Sequence, residues 1–336
     1  MRNDLLHVVG VYSNPNRYES RRRNLRAWID RTLAAGVHLT LVTHAFGERP
    51  HEFDPITDAA LLRDINLVQL RGGPEHQLWL KEALVNVGLA SISQRSPEAQ
   101  YLCWEDTDII HASPNWAAET VHMLQHHRVG QTWTHSVDLD ARGNVIANEL
   151  GNAIDRSFCG AWVAGEIHVP SEGYGTQVRN SRALLTGEMA RIGGQHYGYS
   201  WAIRKDALKG IGKLMDWLIV GSADYHMALS FAGLREHIRG DLTPGYQRRL
   251  REFWQRCDDH IRQDMGVLPG TIMHEWHGHK VNRFYIKRFD VLRESGFDPD
   301  VDLASDVNGL PTLVTDNRIL RDGLRRYDSQ RNEDAI

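Results

Sequence analysis

Cysteine is scarce: Cys103, Cys159 and Cys257 are the only three in 336 residues, and none stands in a C-x-x-C pair. That excludes a disulfide-stapled scaffold and the cysteine-rich zinc sites, and it points to a reducing compartment, the cytoplasm. Long apolar runs are missing too. Nowhere do 18 consecutive apolar residues occur, and residues 1–10 hold too short an apolar stretch for a secretory leader, so no membrane span is expected. Nor is there an excess of basic charge. Lys and Arg number 39 against 43 Asp and Glu, a net charge of −4, so any nucleic-acid contact would rest on local clusters. No G-x-x-x-x-G-K-[ST] occurs, and Gly193-Gly194-Gln195-His196-Tyr197-Gly198 misses the dinucleotide fingerprint, which sets aside P-loop and Rossmann dehydrogenase chemistry.

What is there reads as a soluble globular chain, with 41% hydrophobic and 24% charged residues and length enough for a large core. Residues 5–11, 37–44, 65–70 and 101–104 are apolar runs. They alternate with helical patterns at 21–35, where Leu25, Trp28, Ile29 and Leu33 recur at helical spacing, and at 77–90. Strands separated by helices imply crossover connections, hence an α/β fold with a mainly parallel sheet. Beyond residue 129, strands are expected at 131–138 and 160–164, a turn at 140–144, an amphipathic helix at 248–262 and either a charged helix or a mobile end after 317. The organisation expected is one compact catalytic core over 1–235, dividing near residue 110. A carboxyl-terminal helical segment with a His-rich loop, 236–336, packs on that core.

In open parallel sheets ligands bind beyond the carboxyl ends of the strands. The first strand delivers residues 13–17 there, and the fourth runs into Glu105-Asp106-Thr107-Asp108. Alternate residues of an extended segment point the same way, so Asp106 and Asp108 can present two carboxylates to one site. Held that close they repel unless a cation neutralises them, and Mg²⁺ or Mn²⁺ commonly bridges such acids to phosphates. Four Asp-x-Asp pairs occur where chance gives about two. Asp138/Asp140 reads as a turn, and Asp298/Asp300 and Asp300/Asp302 as a solvated loop; Asp106/Asp108 follows an apolar strand.

Three histidines in six positions, His274, His277 and His279, are either metal ligands or a surface loop, and Lys280 and Arg283 beyond them could meet phosphate oxygens. In Gly221-Ser222-Ala223-Asp224-Tyr225-His226, Asp224 is either a base for an attacking hydroxyl, with His226 beside it, or a helix N-cap. Arg17, Arg21, Arg22 and Arg23, like Lys81 and Asn86, either touch phosphates or face solvent.

The succession Tyr12-Ser13-Asn14-Pro15, Trp79-Leu80-Lys81-Glu82 with Asn86, Trp104-Glu105-Asp106-Thr107-Asp108, residues 221–228, and Trp276-His277-Gly278 with Arg283 and Tyr285 resembles GT-A-fold glycosyltransferases, particularly phage-encoded ones. The resemblance spans roughly residues 5–314 and implies a Rossmann-like αβα sandwich binding a nucleotide-sugar, usually a UDP-sugar, with Mn²⁺ or Mg²⁺. It implies Asp106, Asp108 and His277 at the metal, with Glu105 leaving open which acids bind directly. Tyr12, Asn14, Arg17, Lys81, Asn86, Asp106, Lys280 and Arg283 would lie at the nucleotide, and Asp224 and His226 at the acceptor. Phage enzymes of this kind often act on hydroxymethylated pyrimidines in DNA, and basic clusters at 248–256 and 283–293 could meet a DNA backbone; saccharide and protein acceptors are the alternatives. A rival of another class is a zinc hydrolase using His274, His277 and His279, with Asp224 as a further ligand.

Overall fold

The computed structural model describes residues 3–54, 56–147, 153–167, 195–234, 242–278, 288–330 and 333–334. The alternation expected for the first third is what folds. Strand β1 (Leu6–Ser13) is followed by α1 (Glu19–Ala34), β2 (His38–Phe46), the short α2 (Ala59–Leu62), β3 (Ile65–Gly72), α3 (Lys81–Arg95) and β4 (Tyr101–Glu105). β1 lies between β4 and β2, with β3 beyond β2, and these four strands are parallel.

Successive side chains on a strand face opposite layers. Leu6, Val8 and Leu41 join the core of Leu25, Trp28 and Ile29 from α1. Val9, Val42 and Trp104 join that of Leu84, Val85 and Leu89 from α3. A sheet covered on both faces is why β1 reads as a continuous apolar run. α1 lies so close that a Cβ on Gly10 would stand 2.3 Å from the Trp28 ring, a distance only glycine permits.

The chain continues through β5 (Ile109–His111), α4 (Trp116–His126), β6 (Val129–Gln131), β7 (His135–Leu139), β8 (Val145–Ile146), β9 (Asp155–Ser157), α5 (Phe158–Val163), β10 (Gln195–His196) and β11 (Ser200–Arg204). Then come α6 (Lys205–Ile211), α7 (Ala223–Phe231), α8 (Pro244–His260), β12 (Met265–Val267), β13 (Thr271–His274), α9 (Arg288–Ser295), β14 (Leu303–Ser305), β15 (Pro311–Leu313) and α10 (Arg318–Gln330). The central sheet runs β12-β6-β11-β4-β1-β2-β3, with β11 antiparallel to both its neighbours. A second sheet runs β10-β9-β7-β13-β5, with β8 paired to β7, and β14 and β15 form a separate hairpin.

Four expectations change. The single strand expected over 131–138 is two, β6 and β7, in different sheets, because the chain turns between them around the fully buried Trp133. The strand expected at 160–164 is helix α5, nucleated by Ser157, whose Oγ accepts from the Gly160 N–H at 2.9 Å. At α7 the N-cap is Ser222, in the left-handed region at φ 72°, and Asp224 sits inside the first turn. Residues 265–274, placed by the sequence in the carboxyl-terminal segment, supply a strand to each large sheet, since β12 pairs with β6 and β13 with β7 and β5. The turn at 140–144 and the helices near 248–262 and after 317 form as expected. No helix among the described residues is long and apolar enough to cross a membrane.

Candidate active site and metal centre

Because β1 and β4 are parallel neighbours, the loops that follow Ser13 and Glu105 open on one cleft. A cavity of about 280 Å³ lies there, with Tyr12, Lys81, Asp106, Asp108, Asp224 and His277 in its walls.

Strand register assembles the first part of the site. β13 lies between β5 and β7, pairing His274 with Ile109 on one side and with Asp138 on the other. The Glu275 N–H donates to the Asp108 carbonyl at 2.8 Å, locking that register at its end. His274 is thus set between two acids, with Nδ1 2.8 Å from Asp138 Oδ1 and Nε2 3.8 Å from Asp108 Oδ2. The following loop is anchored to α1: Arg31 pairs with Glu275 at 2.6 Å, and Asn24 donates to the Trp276 carbonyl at 3.2 Å. His277 is thereby brought back over the site. Its Nε2 lies 3.1 Å from both Asp108 Oδ2 and His274 Nε2, and its Nδ1 lies 3.2 Å from Glu333 Oε2.

One ligand atom from each of Asp108, His274 and His277 falls within 4.8 Å of the others. The chemistry of the donors fits a cation. Carboxylates such as Asp138 and Glu333 accept; with the hydrogen of each ring on Nδ1 to meet them, both Nε2 lone pairs would face the cluster. Two facing lone pairs beside a carboxylate repel one another unless a positive charge lies among them. Two imidazoles and one carboxylate suit Mn²⁺ or Zn²⁺ better than Mg²⁺, which prefers oxygen ligands.

Charge also converges at the start of α3. Lys81 pairs with Asp106, whose own N–H donates to the Tyr199 carbonyl at 2.7 Å. Tyr199 stands at φ 71°, a strained conformation of the kind that collects at functional sites. Burial acts to lower the Lys81 pKa, but Asp106, Glu82 and Asp224 outweigh it and raise the value, so the amine stays charged. Burial pushes Glu82 up to about 7; Lys81 pulls it down and Asp224 adds to the rise. Burial raises Asp106 as well, Lys81 opposing and Asp108 reinforcing the shift.

Of the residues expected at the metal, Asp108 and His277 come together, joined by His274; Asp106 is held by Lys81 and does not belong to the cluster. Glu105 is buried away from it, accepting from Ser200 Oγ at 2.9 Å and meeting His111 Nε2 at 2.7 Å. Tyr12, Lys81 and Asp106 line the cavity. Three residues expected at the nucleotide do not. Asn14 is used by its own loop, donating to Tyr12 Oη and the Tyr18 carbonyl and accepting from the Tyr18 N–H. Arg17 is exposed at φ 59°. Asn86 binds both the N–H and the carbonyl of Leu214. Asp224 lines the cavity, whereas His226 is buried beneath it, 3.4 Å from Tyr246 Oη. His279, Lys280, Arg283 and Tyr285 lie outside the described residues.

Other expectations shift too. Asp138 is not part of the turn with Asp140 but the partner of His274. The 298–302 acids are structural: Asp298 accepts from the Gly245 N–H, Asp300 holds Arg248 and Arg249, and Asp302 caps Asp298. Those pairings use up much of the basic cluster at 248–256. Sequence reasoning missed Glu82, Tyr199 and Glu333; of these, only Glu82 stood inside a motif it had singled out.

The fold is thus an α/β sandwich on a mainly parallel sheet, with a cation-ready cluster at the carboxyl edge. No family model and no curated protein matches the chain. Among solved structures it is similar to a 4-diphosphocytidyl-2C-methyl-D-erythritol synthase from Anaerococcus prevotii, at 12% identity over 80% of this chain and 90% of that one, TM-score 0.34. It is also similar to a protein described as a nucleotide-diphospho-sugar transferase from Desulfovibrio desulfuricans, at 10% identity over 99% of both chains, TM-score 0.31. A third is a glycosyltransferase involved in glycosylation of the major capsid of PBCV-1, at 10% identity over 80% and 91%, TM-score 0.29. Likenesses this distant assign no activity.

Proposed function

We propose that the protein is a metal-dependent glycosyltransferase that moves a sugar from a nucleotide-sugar, a UDP-sugar in the first instance, to a hydroxyl acceptor. The observation that carries this reading is the convergence of Asp108, His274 and His277 beside a charged lysine, Lys81, in a cavity at the carboxyl edge of the sheet. The sequence resemblance to GT-A-fold enzymes supports it independently.

Cleaving the bond between sugar and diphosphate leaves negative charge on the departing group. Asp108, His274 and His277 would hold Mn²⁺, which supplies electrostatic stabilisation of that charge when bound. Lys81, kept protonated by its acidic neighbours, offers a second positive group at the same wall. Tyr12 lines the donor side beside the end of β1, and Asp224 stands on α7 where it can accept a proton from an acceptor hydroxyl. Asp106 serves the site through Lys81, fixing where the ammonium points.

The DNA acceptor, a hydroxymethylated pyrimidine, is retained as one form of the proposal beside saccharide and protein hydroxyls. The zinc-hydrolase alternative shares the same two histidines and is separated by the test. The experiment is release of UDP from a panel of UDP-sugars with Mn²⁺, with Zn²⁺ and after chelation. Mn²⁺-dependent release that is lost in Asp108→Asn is the expected result. Release indifferent to chelation, or no effect of any nucleotide-sugar on turnover or melting temperature, rejects the reading.

A further inference from the structure

The described carboxyl-terminal residues do not trail away from the cleft. α10 packs Leu320, Leu324 and Tyr327 into the protein, and Asp328 receives Asn16 Nδ2 at 3.2 Å and Gln77 Nε2 at 3.4 Å, so the helix spans the loops after β1 and β3. Beyond it, Asp334 accepts from the Glu19 and Ser20 N–H groups at 2.8 and 2.9 Å, at the open amino end of α1. Glu333 is fixed just before this anchor. Its carbonyl accepts from Ser20 Oγ at 3.0 Å, and its carboxylate takes both sides of the Arg21 fork, with Oε1 2.7 Å from Nη2. Arg21 in turn donates to the Ser13 carbonyl at 2.9 Å. With 2% of its side chain exposed, Glu333 is no ordinary surface partner.

We propose that Glu333 and Asp138 are positioning residues for the metal centre, and that the carboxyl-terminal segment therefore completes the site. Each meets the Nδ1 of one ring, Glu333 at His277 and Asp138 at His274, on the side remote from the Nε2 atoms that converge with Asp108. A carboxylate at Nδ1 fixes the tautomer, stops the ring from rotating and makes Nε2 a better donor to a cation. Neither acid is placed to be a ligand itself. The two arrangements are alike although one acid comes from a sheet strand and the other from the end of the chain. Arg21 adds a further link, tying the end of β1 through Glu333 to His277. This inference rests on the metal reading of the Asp108–His274–His277 cluster.

The test is Mn²⁺ binding by calorimetry, on the full chain stripped with chelator, without nucleotide, and well below the melting temperature. Glu333→Ala is expected to bind Mn²⁺ roughly 10–100-fold more weakly than wild type. Glu333→Gln keeps an oxygen that accepts from Nδ1–H, and it is expected to recover most of that loss. A purely structural role for Glu333 would lower the melting temperature and leave Mn²⁺ affinity alone. Should the alanine variant fail to fold, Asp138→Ala decides by the same readout. Wild-type affinity in the folded variants overturns the assignment while leaving the three-residue metal site standing; absence of Mn²⁺ binding by wild type overturns both.

Discussion

Glu82 gives the sharpest handle on the charge cluster in the cavity wall. It is 4% exposed, beside Lys81 and within the influence of Asp224 and Asp106, and burial pushes its carboxyl from 4.5 up to about 7. In the unfolded chain it ionises near 4.5, so between about 4.5 and 7 the folded state holds the extra proton. Folding stability conferred by the neutral carboxyl is therefore complete below pH 4.5 and is lost as pH rises through 7. A displacement of that size corresponds to about 3 kcal/mol. Glu82→Gln stays uncharged throughout and loses this dependence. Urea denaturation of both proteins from pH 4.5 to 8 reads it out: the variant's stability relative to wild type should climb by up to about 3 kcal/mol across the interval. A difference that stays flat with pH, or falls, would refute the view that Glu82 is held neutral by burial against the pull of Lys81.

Two further outcomes test where residues were placed. Asn86→Ala removes two hydrogen bonds to Leu214, at 2.9 and 3.1 Å, and should cost about 1–3 kcal/mol in denaturant melts while leaving UDP affinity at its wild-type value; weaker UDP binding without loss of stability would return Asn86 to the nucleotide. Burial, with His76 second, lowers His44 to about 4, so the stability tied to its neutral ring is present above pH 6.5 and fades as pH falls toward 4. His44→Leu should therefore show a smaller acid-side loss than wild type, by up to about 3 kcal/mol, in the same assay.

The parts of the site that a linear reading could find are those whose signal is local. β4 ends in Glu105 and runs at once into Asp106 and Asp108, and an apolar strand that meets acids at its carboxyl end is visible in six residues. His277 was visible as part of a dense histidine motif, and Lys81 and Tyr12 through the family resemblance. Asp138 and Glu333 were not, because what makes them matter is a partner 136 positions away in one case and 56 in the other. Only the register of β13 against β7 puts Asp138 opposite His274. Asp106 shows how far strand alternation reaches: it groups the residue with Asp108, while the fold sets it against Lys81 at the start of α3. Helix α5 reads as a strand because six residues, nearly all apolar, are too short a run to show a helical period, and the Ser157 cap that decides the matter lies just outside that run.

The claim on which the rest depends is that Asp108, His274 and His277 bind a divalent cation. Anomalous diffraction at the manganese edge, from crystals grown with Mn²⁺ and UDP, addresses it most directly. A single strong peak among Asp108 Oδ2, His274 Nε2 and His277 Nε2 is the expected result. A difference map with no peak there, or with the ion on Asp106 and Glu105 instead, would contradict it.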